Sequence, residues 1–337
     1  MKAAEEEHRR GNFTAPTRTT VGEWLDQWIE TYAHVRVRQN TLDGYKVVIK
    51  AHLKPSIGNL LIKELQPQQV QMMLNDKLKS GRKKDKGPLS PRMVAYIYSV
   101  LHMALEQAVK NQMIPRNVCD SVDKPKQDKT EFEPWTTEQT NHFLRSVQKS
   151  RLFPLYITVW GTGLRRSELL GLKWEDIDLK KGNLTVKRTW VNIKGGQKFG
   201  EPKTKKSRRV IPLPGPVVAE LKTWRKRQSK EALAFPGEYN PLNMVFTTEA
   251  GEPYKPDYIT RSFKNDLEEA KLPEIRFHDL RHGHATMLLE LGEDLKVISD
   301  RLGHSTITLT ADTYSHVREK LQRSASDKLA TTLNLKS

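Results

Sequence analysis

Between residues 276 and 317 the chain reads Arg-Phe-His-Asp-Leu-Arg-His-Gly-His-Ala, later Leu-Gly-His-Ser, then Asp-Thr-Tyr-Ser-His-Val, which gathers His278, Arg281, His304 and Tyr314. On a helix over 278–291, His278 and Arg281 stand one turn apart on one face. Two such donors side by side call for an anion between them. Gly292 ends that helix, Asp294 caps the next, and Gly303 terminates it after Leu302. His304 then lies just beyond a helix end, turned toward the same anion. Tyr314 follows ten residues on. A tyrosine hydroxyl, with a free pKa of about 10, needs nearby positive charge to act as a nucleophile. Leu280, Met287, Leu288, Leu291, Val297, Ile298 and Leu302 are spaced to bury one helical face, so chemistry and core are interleaved here.

Two further groupings add charge. Thr162-Gly163-Leu164-Arg165-Arg166-Ser167-Glu168 places a glycine turn ahead of Arg165 and sets Glu168 one helical turn beyond it, where a carboxylate can hold the guanidinium. Glu201-Pro202-Lys203-Thr204-Lys205-Lys206-Ser207 puts Lys203 at the tip of a hairpin or at the start of its return strand. Taken singly, each grouping has a plainer reading: a structural histidine beside a surface arginine, a core tyrosine, a solvated basic pair, one lysine of many. His278 and His282 also have the spacing of a zinc helix, but Asp279 directly follows the first histidine and no Glu stands where a zinc protease needs it. With Arg281 adding positive charge, neither a metal nor another cofactor is expected.

Together and in this order, the five motifs resemble the signature of the tyrosine recombinases, the integrases of phages and conjugative transposons. The resemblance extends from about Thr20 to the C-terminus. It implies DNA strand cleavage by transesterification and site-specific strand exchange for integration and excision of a mobile element. Tyr314 would attack the phosphorus, form a 3′-phosphotyrosyl bond and release a 5′-hydroxyl. Arg165 and Arg281 would grip the non-bridging oxygens and His304 would donate a further hydrogen bond. His278, titrating near neutral pH, would assist proton transfer or bond the phosphate, Lys203 would protonate the leaving oxygen, and Glu168 would orient the arginine. The implied partners are double-stranded DNA carrying core-type sites, a homotetramer in the synaptic complex, and accessory DNA-bending or directionality factors. Two alternatives stand beside this reading: a type IB topoisomerase-like relaxing enzyme and a non-catalytic DNA-binding factor.

The composition agrees with a polyanionic partner. The 337 residues carry 57 Lys and Arg against 40 Asp and Glu, a formal net charge of +17. Such an excess opposes compaction and suits nucleic acid. No apolar run approaches the roughly 20 residues of a membrane span, and the N-terminus lacks an apolar signal core. The single cysteine, Cys119, cannot form an intrachain disulfide, which fits a reducing cytosol; the resemblance to integrases implies the bacterial cytosol and association with the nucleoid.

The expected fold is mainly α with a small β-sheet or hairpin, arranged as a two-domain DNA clamp. Residues 1–20 read as a charged linker remnant, with no room for an arm-type domain, which suggests a two-domain member or a truncated one. Residues 21–122 read as an all-helical core-site DNA-binding domain. Its helices start at Thr20, at Thr41 (ended by Pro55), at Gln66-Pro67 and at Ser90-Pro91, the last reaching Asn111. Residues 80–88 form a basic loop, and the proline- and charge-rich 123–134 form the interdomain linker. Residues 135–317 form the mixed α/β catalytic domain. It opens on a Thr136/Gln139 capping box and a helix over 152–160, then turns to β-branched runs at 184–193 and 208–213. A helix over 217–230, a Met244-Val245-Phe246 strand and a helix over 258–270 follow. Residues 318–337, with Leu321, Ala325, Leu329 and Leu333 at four-residue steps, form a tail suited to exchange between protomers.

Overall fold

Thr20 opens the first helix, α1 (Val21–Trp28): its side chain accepts from the Glu23 amide while the Glu23 carboxylate accepts from the Thr20 amide at 2.8 Å. The computed structural model describes residues 18–82, 85, 87–126, 135–193, 195–201, 207–304 and 306–308, together with 322, 326, 327, 329 and 330. Lys203, Tyr314, all three lysines of the basic loop and most of the tail stripe lie outside the described residues. The chain divides into two compact units, Met1–Glu131 and Phe132–Ser337.

In the first unit, α1 continues through a π turn at Ile29–Ala33, and α2 (Gln39–Val48) continues through a second π turn at Ile49–Leu53. α3 (Pro67–Ser80) and α4 (Pro91–Lys110) complete the bundle, and Ser90 caps α4 by accepting from the Met93 amide. Trp24, Leu25, Leu53, Leu74, Val94, Ile97, Leu101 and Leu105 are fully buried. The Trp24 indole donates to the Ala104 carbonyl at 2.8 Å, tying α1 to α4. Pro55 does not end the second helix as its sequence suggests. Lys54 N donates five residues back to Ile49 O, and the widened turn absorbs the proline's missing donor, so helix continues to Ile57.

In the second unit, α5 (Thr137–Ser146) starts from the Thr136/Gln139 box and α6 (Phe153–Thr162) ends at Gly163. α7 (Arg166–Leu170) follows directly. Strands β1 (Ile177–Asp178), β2 (Asn183–Val186) and β5 (Arg209–Pro212) form an antiparallel sheet in the order β1-β2-β5, with Leu184 opposite Ile211, both fully buried. β3 (Thr189–Ile193) and β4 (Gly196–Gly200) form a separate hairpin in which Trp190 faces Phe199. The 184–193 run is therefore two strands in two sheets. It breaks where Lys187 and Arg188 turn to the buried Asp176 carboxylate.

α8 (Gly215–Ala234) and α9 (Pro256–Glu269) are longer than periodicity alone indicates. Met244-Val245-Phe246 is buried but makes a single bridge, Met244 to Lys173, instead of a strand. α10 (Asp279–Glu290) and α11 (Leu295–Leu302) close the described core. Leu291 and Val297, expected inside, are 73% and 53% exposed, because Arg281, His284, Ala285 and Leu289 occupy the inward stripe of α10 and Ile298 and Leu302 that of α11.

Candidate active site

Gly163 adopts φ +65, and this left-handed turn at the end of α6 swings the chain so that Arg165 lies in extended conformation at the N-cap of α7. A Cβ at Gly163 would come within 2.6 Å of the His284 ring, so glycine is required on steric grounds as well. One turn on, Glu168 is 2% exposed. It bonds Arg165 NH1 at 2.8 Å and Arg209 NH2 at 3.0 Å. Burial alone would raise its pKa, but the Arg209 and Arg165 guanidiniums hold the carboxyl below the usual range.

Arg281, on the first turn of α10, is 2% exposed and donates to Gly163 O at 2.7 Å and Leu302 O at 2.6 Å. Arg165 NH2 reaches Gly303 O at 3.3 Å, and Arg209 Nε reaches Arg301 O at 2.6 Å. Thus three successive carbonyls at the end of α11, those of residues 301, 302 and 303, each hold a different arginine. The last carbonyls of a helix lack intrahelical donors and sit at the negative end of its dipole, so guanidiniums suit them. Gly303 turns the chain at φ +66 and presents His304, whose amide donates back to Ser299 O.

His278 caps α10 at its start and meets His282 edge-on, ring centroids 5.1 Å apart. His278 is exposed to solvent. Even so, desolvation at the helix start, then His282 and Arg281, push it down to about 4. Burial, then Arg281 and Arg165, push His304 down to about 3. Both imidazoles are neutral at pH 7, so the expectation that His278 titrates near neutrality is corrected: desolvation first, and then its neighbours His282 and Arg281, disfavour the protonated ring.

Arg165, Glu168, His278, Arg281 and His304 are thus brought into one cluster, while Lys203 and Tyr314 lie outside the described residues. Of the four guanidiniums here, those of Arg165 and Arg209 bond the Glu168 carboxylate, while those of Arg281 and Arg301 bond backbone carbonyls. That excess of positive charge fits an anionic substrate of phosphodiester type. Sequence reasoning missed Arg209, Arg301 and His284. For His284, the signal present was its position three residues after Arg281, on the same helical face. Among the described residues, no group of three or more His, Cys, Asp or Glu is placed to hold a metal ion, and no helix is long and apolar enough to cross a membrane.

A helical unit followed by a mixed unit whose arginine cluster suits an anion is an arrangement fitted to handling a phosphodiester, and comparison with known proteins gives the class. The pattern of the Phage integrase family matches residues 132–320, and that of the phage integrase N-terminal SAM-like domain matches residues 20–78. A tyrosine recombinase XerC-like protein of Caldanaerobacter subterraneus is 31% identical over 329 residues, covering 92% of this chain and 82% of that protein. The ICEBs1 integrase of Bacillus subtilis is 30% identical over 243 residues, covering 72% of this chain and 66% of its own. The fold matches the Tn1549 transposon integrase in complex with transposon right end DNA, with a TM-score of 0.77 at 23% identity, over 93% of this chain and 100% of that one. It also matches a lambda integrase tetramer bound to a Holliday junction, with a TM-score of 0.66 at 20% identity, over 91% and 87%. The chain belongs to the phage integrase family and is a tyrosine recombinase, an enzyme of site-specific DNA recombination.

Proposed function

We propose that this recombinase integrates and excises a mobile element by cleaving one strand at a time through Tyr314, as a homotetramer on core-type DNA sites in the bacterial cytosol. Integrase relatives and the DNA complexes of the structural neighbours support this reading. In it, residues 21–122 hold the core site, 123–134 link the domains, 135–317 carry the chemistry and 318–337 exchange between protomers. Accessory DNA-bending or directionality factors act with the tetramer.

The observation that carries the chemistry is the seating of Arg165 and Arg281 on consecutive carbonyls beside His304. The transition state of transesterification places extra negative charge on the non-bridging oxygens, and preorganised donors aimed there contribute ~3 kcal/mol each. His304, neutral before DNA arrives, offers one ring N–H without a desolvated second cation. A bound phosphate raises the pKa of both histidines, so His278 can take the tyrosine proton as the attack develops. Lys203 protonates the departing 5′-oxygen, and Glu168 orients Arg165. Bond energy is retained in the phosphotyrosine, which the 5′-hydroxyl of a partner strand then attacks.

The test is capture on a nicked duplex bearing the element's end, in the presence of a chelator. A denaturing-gel adduct is expected with the native chain and none with Tyr314→Phe, which should still bind the DNA. An adduct formed by Tyr314→Phe would overturn the assignment.

A further inference from the structure

Three arginines depend on the end of α11, and a fourth fixes that end. The Arg301 side chain donates through Nε to His284 Nε2 at 3.2 Å, and through NH2 to Gly161 O at 2.8 Å and Pro212 O at 3.1 Å. The other ring nitrogen of His284, Nδ1, lies 2.6 Å from Trp160 O. These partners dictate the imidazole's state. A carbonyl can only accept, so Nδ1 carries the proton; a guanidinium can only donate, so Nε2 offers its lone pair. His284 is neutral and 2% exposed. Arg301 and His284 therefore join the ends of α6, α11 and β5 to α10. Arg281 bridges the ends of α6 and α11 as well, through Gly163 O and Leu302 O.

We propose that Arg301 and His284 are positioning residues of the recombination reaction: they lock the ends of α6 and α11 in register so that Arg165 and Arg281 meet the scissile phosphate together. The proposal rests on the reading of those two arginines as the phosphate grip. Neither Arg301 nor His284 touches the DNA in this scheme. A shift of the α11 end moves the carbonyls of residues 301, 302 and 303, and with them Arg209, Arg281 and Arg165. Displacements of about 1 Å in such a grip can cost a hundredfold in rate.

The experiment uses the full chain on its verified nicked target, with single-turnover adduct formation measured at saturating DNA and affinity measured separately. Two substrates are compared: the natural phosphodiester, and a methylphosphonate at the scissile position, in which a methyl group replaces one charged non-bridging oxygen. Arg301→Met should form adduct about a hundredfold more slowly on the phosphodiester at unchanged DNA affinity, with the deficit shrinking to under about tenfold on the methylphosphonate. The double variant with His284→Ala should be no slower than Arg301→Met alone, because the two residues act as one unit. An equal loss on both substrates, a native rate, or a loss confined to affinity would each overturn the proposal. Should Arg301→Met fail to fold by circular dichroism, Arg301→Lys, which keeps the charge but not the fork, decides by the same ratio of substrates. A native chain that binds the verified site yet gives no Tyr314-dependent adduct sinks the phosphate-grip reading first, and the positioning role with it.

Discussion

The two units bury their interiors differently. In the first, the described core is almost wholly apolar, with His52, Gln107 and Asn117 as its buried polar residues. In the second, Glu168, Asp176, Asp279, Arg281, His284 and His304 are buried along with several threonines. Apolar contacts are non-directional and tolerate repacking, so the first unit needs only volume and pattern. Buried ions and imidazoles stabilise only when every partner is in place, and removing one leaves another stranded. The second unit is thus built to hold positions, and its stability should depend on the protonation and integrity of a few groups.

Acid should expose this contrast most strongly. His284 and His304 are held down to about 3 and His278 to about 4, against an ordinary 6.5. Below 6.5 the unfolded chain binds protons that the folded one refuses. The stability these neutral imidazoles represent is complete above that pH and is lost progressively as pH falls toward about 4 and then about 3. Hydrogen exchange on the full chain, corrected for intrinsic rates, should show α10 and α11 opening over this window while α1 and α4 stay protected. If α4 opens first, the comparison is broken.

Next in size is Glu168→Ala. It strands the Arg209 guanidinium, 7% exposed, beside Arg165. Uncompensated buried charge costs ~3–5 kcal/mol. Denaturant unfolding followed in the second unit should show that loss; a change below ~1 kcal/mol would mean that the arginines are held by the helix-end carbonyls alone. The same truncation in apolar surroundings, Leu101→Ala, should cost ~2–5 kcal/mol through its cavity. It should leave the rate of adduct formation per folded molecule unchanged. A slowed rate would mean that the first unit also positions the chemistry.

Legibility in the sequence follows the same divide. The first unit's helices are readable because their apolar residues recur at helical steps and because Ser90-Pro91 and Gln66-Pro67 mark starts locally. In the second, the Arg165–Glu168 pair is readable because its partners are one turn apart. Arg209, Arg301 and His284 are not, since they bond backbone carbonyls and a carboxylate distant in sequence, and every residue has a carbonyl to offer. The phase of α10 is hidden for a related reason: Arg281 and His284 lie on its buried stripe, and counting apolar residues alone rotates the inferred face toward Leu291. Neither π turn leaves a periodic trace, and the break after Val186 depends on Asp176, a partner outside the strand.

The smallest effect serves as the control. Ser90 caps α4 in the first unit and Thr136 caps α5 in the second by the same bond, a hydroxyl accepting from the amide three residues on. Both caps are local and borrow nothing from either core. Ser90→Ala and Thr136→Ala should therefore each cost ~1 kcal/mol, measured by denaturant unfolding of the unit concerned. Equal costs would locate the difference between the units in their buried polar groups, where acid and Glu168→Ala act. If Thr136→Ala cost several times more than Ser90→Ala, the second unit would be fragile to any lost hydrogen bond. The acid response would then report general marginal stability instead of the arginine and histidine cluster.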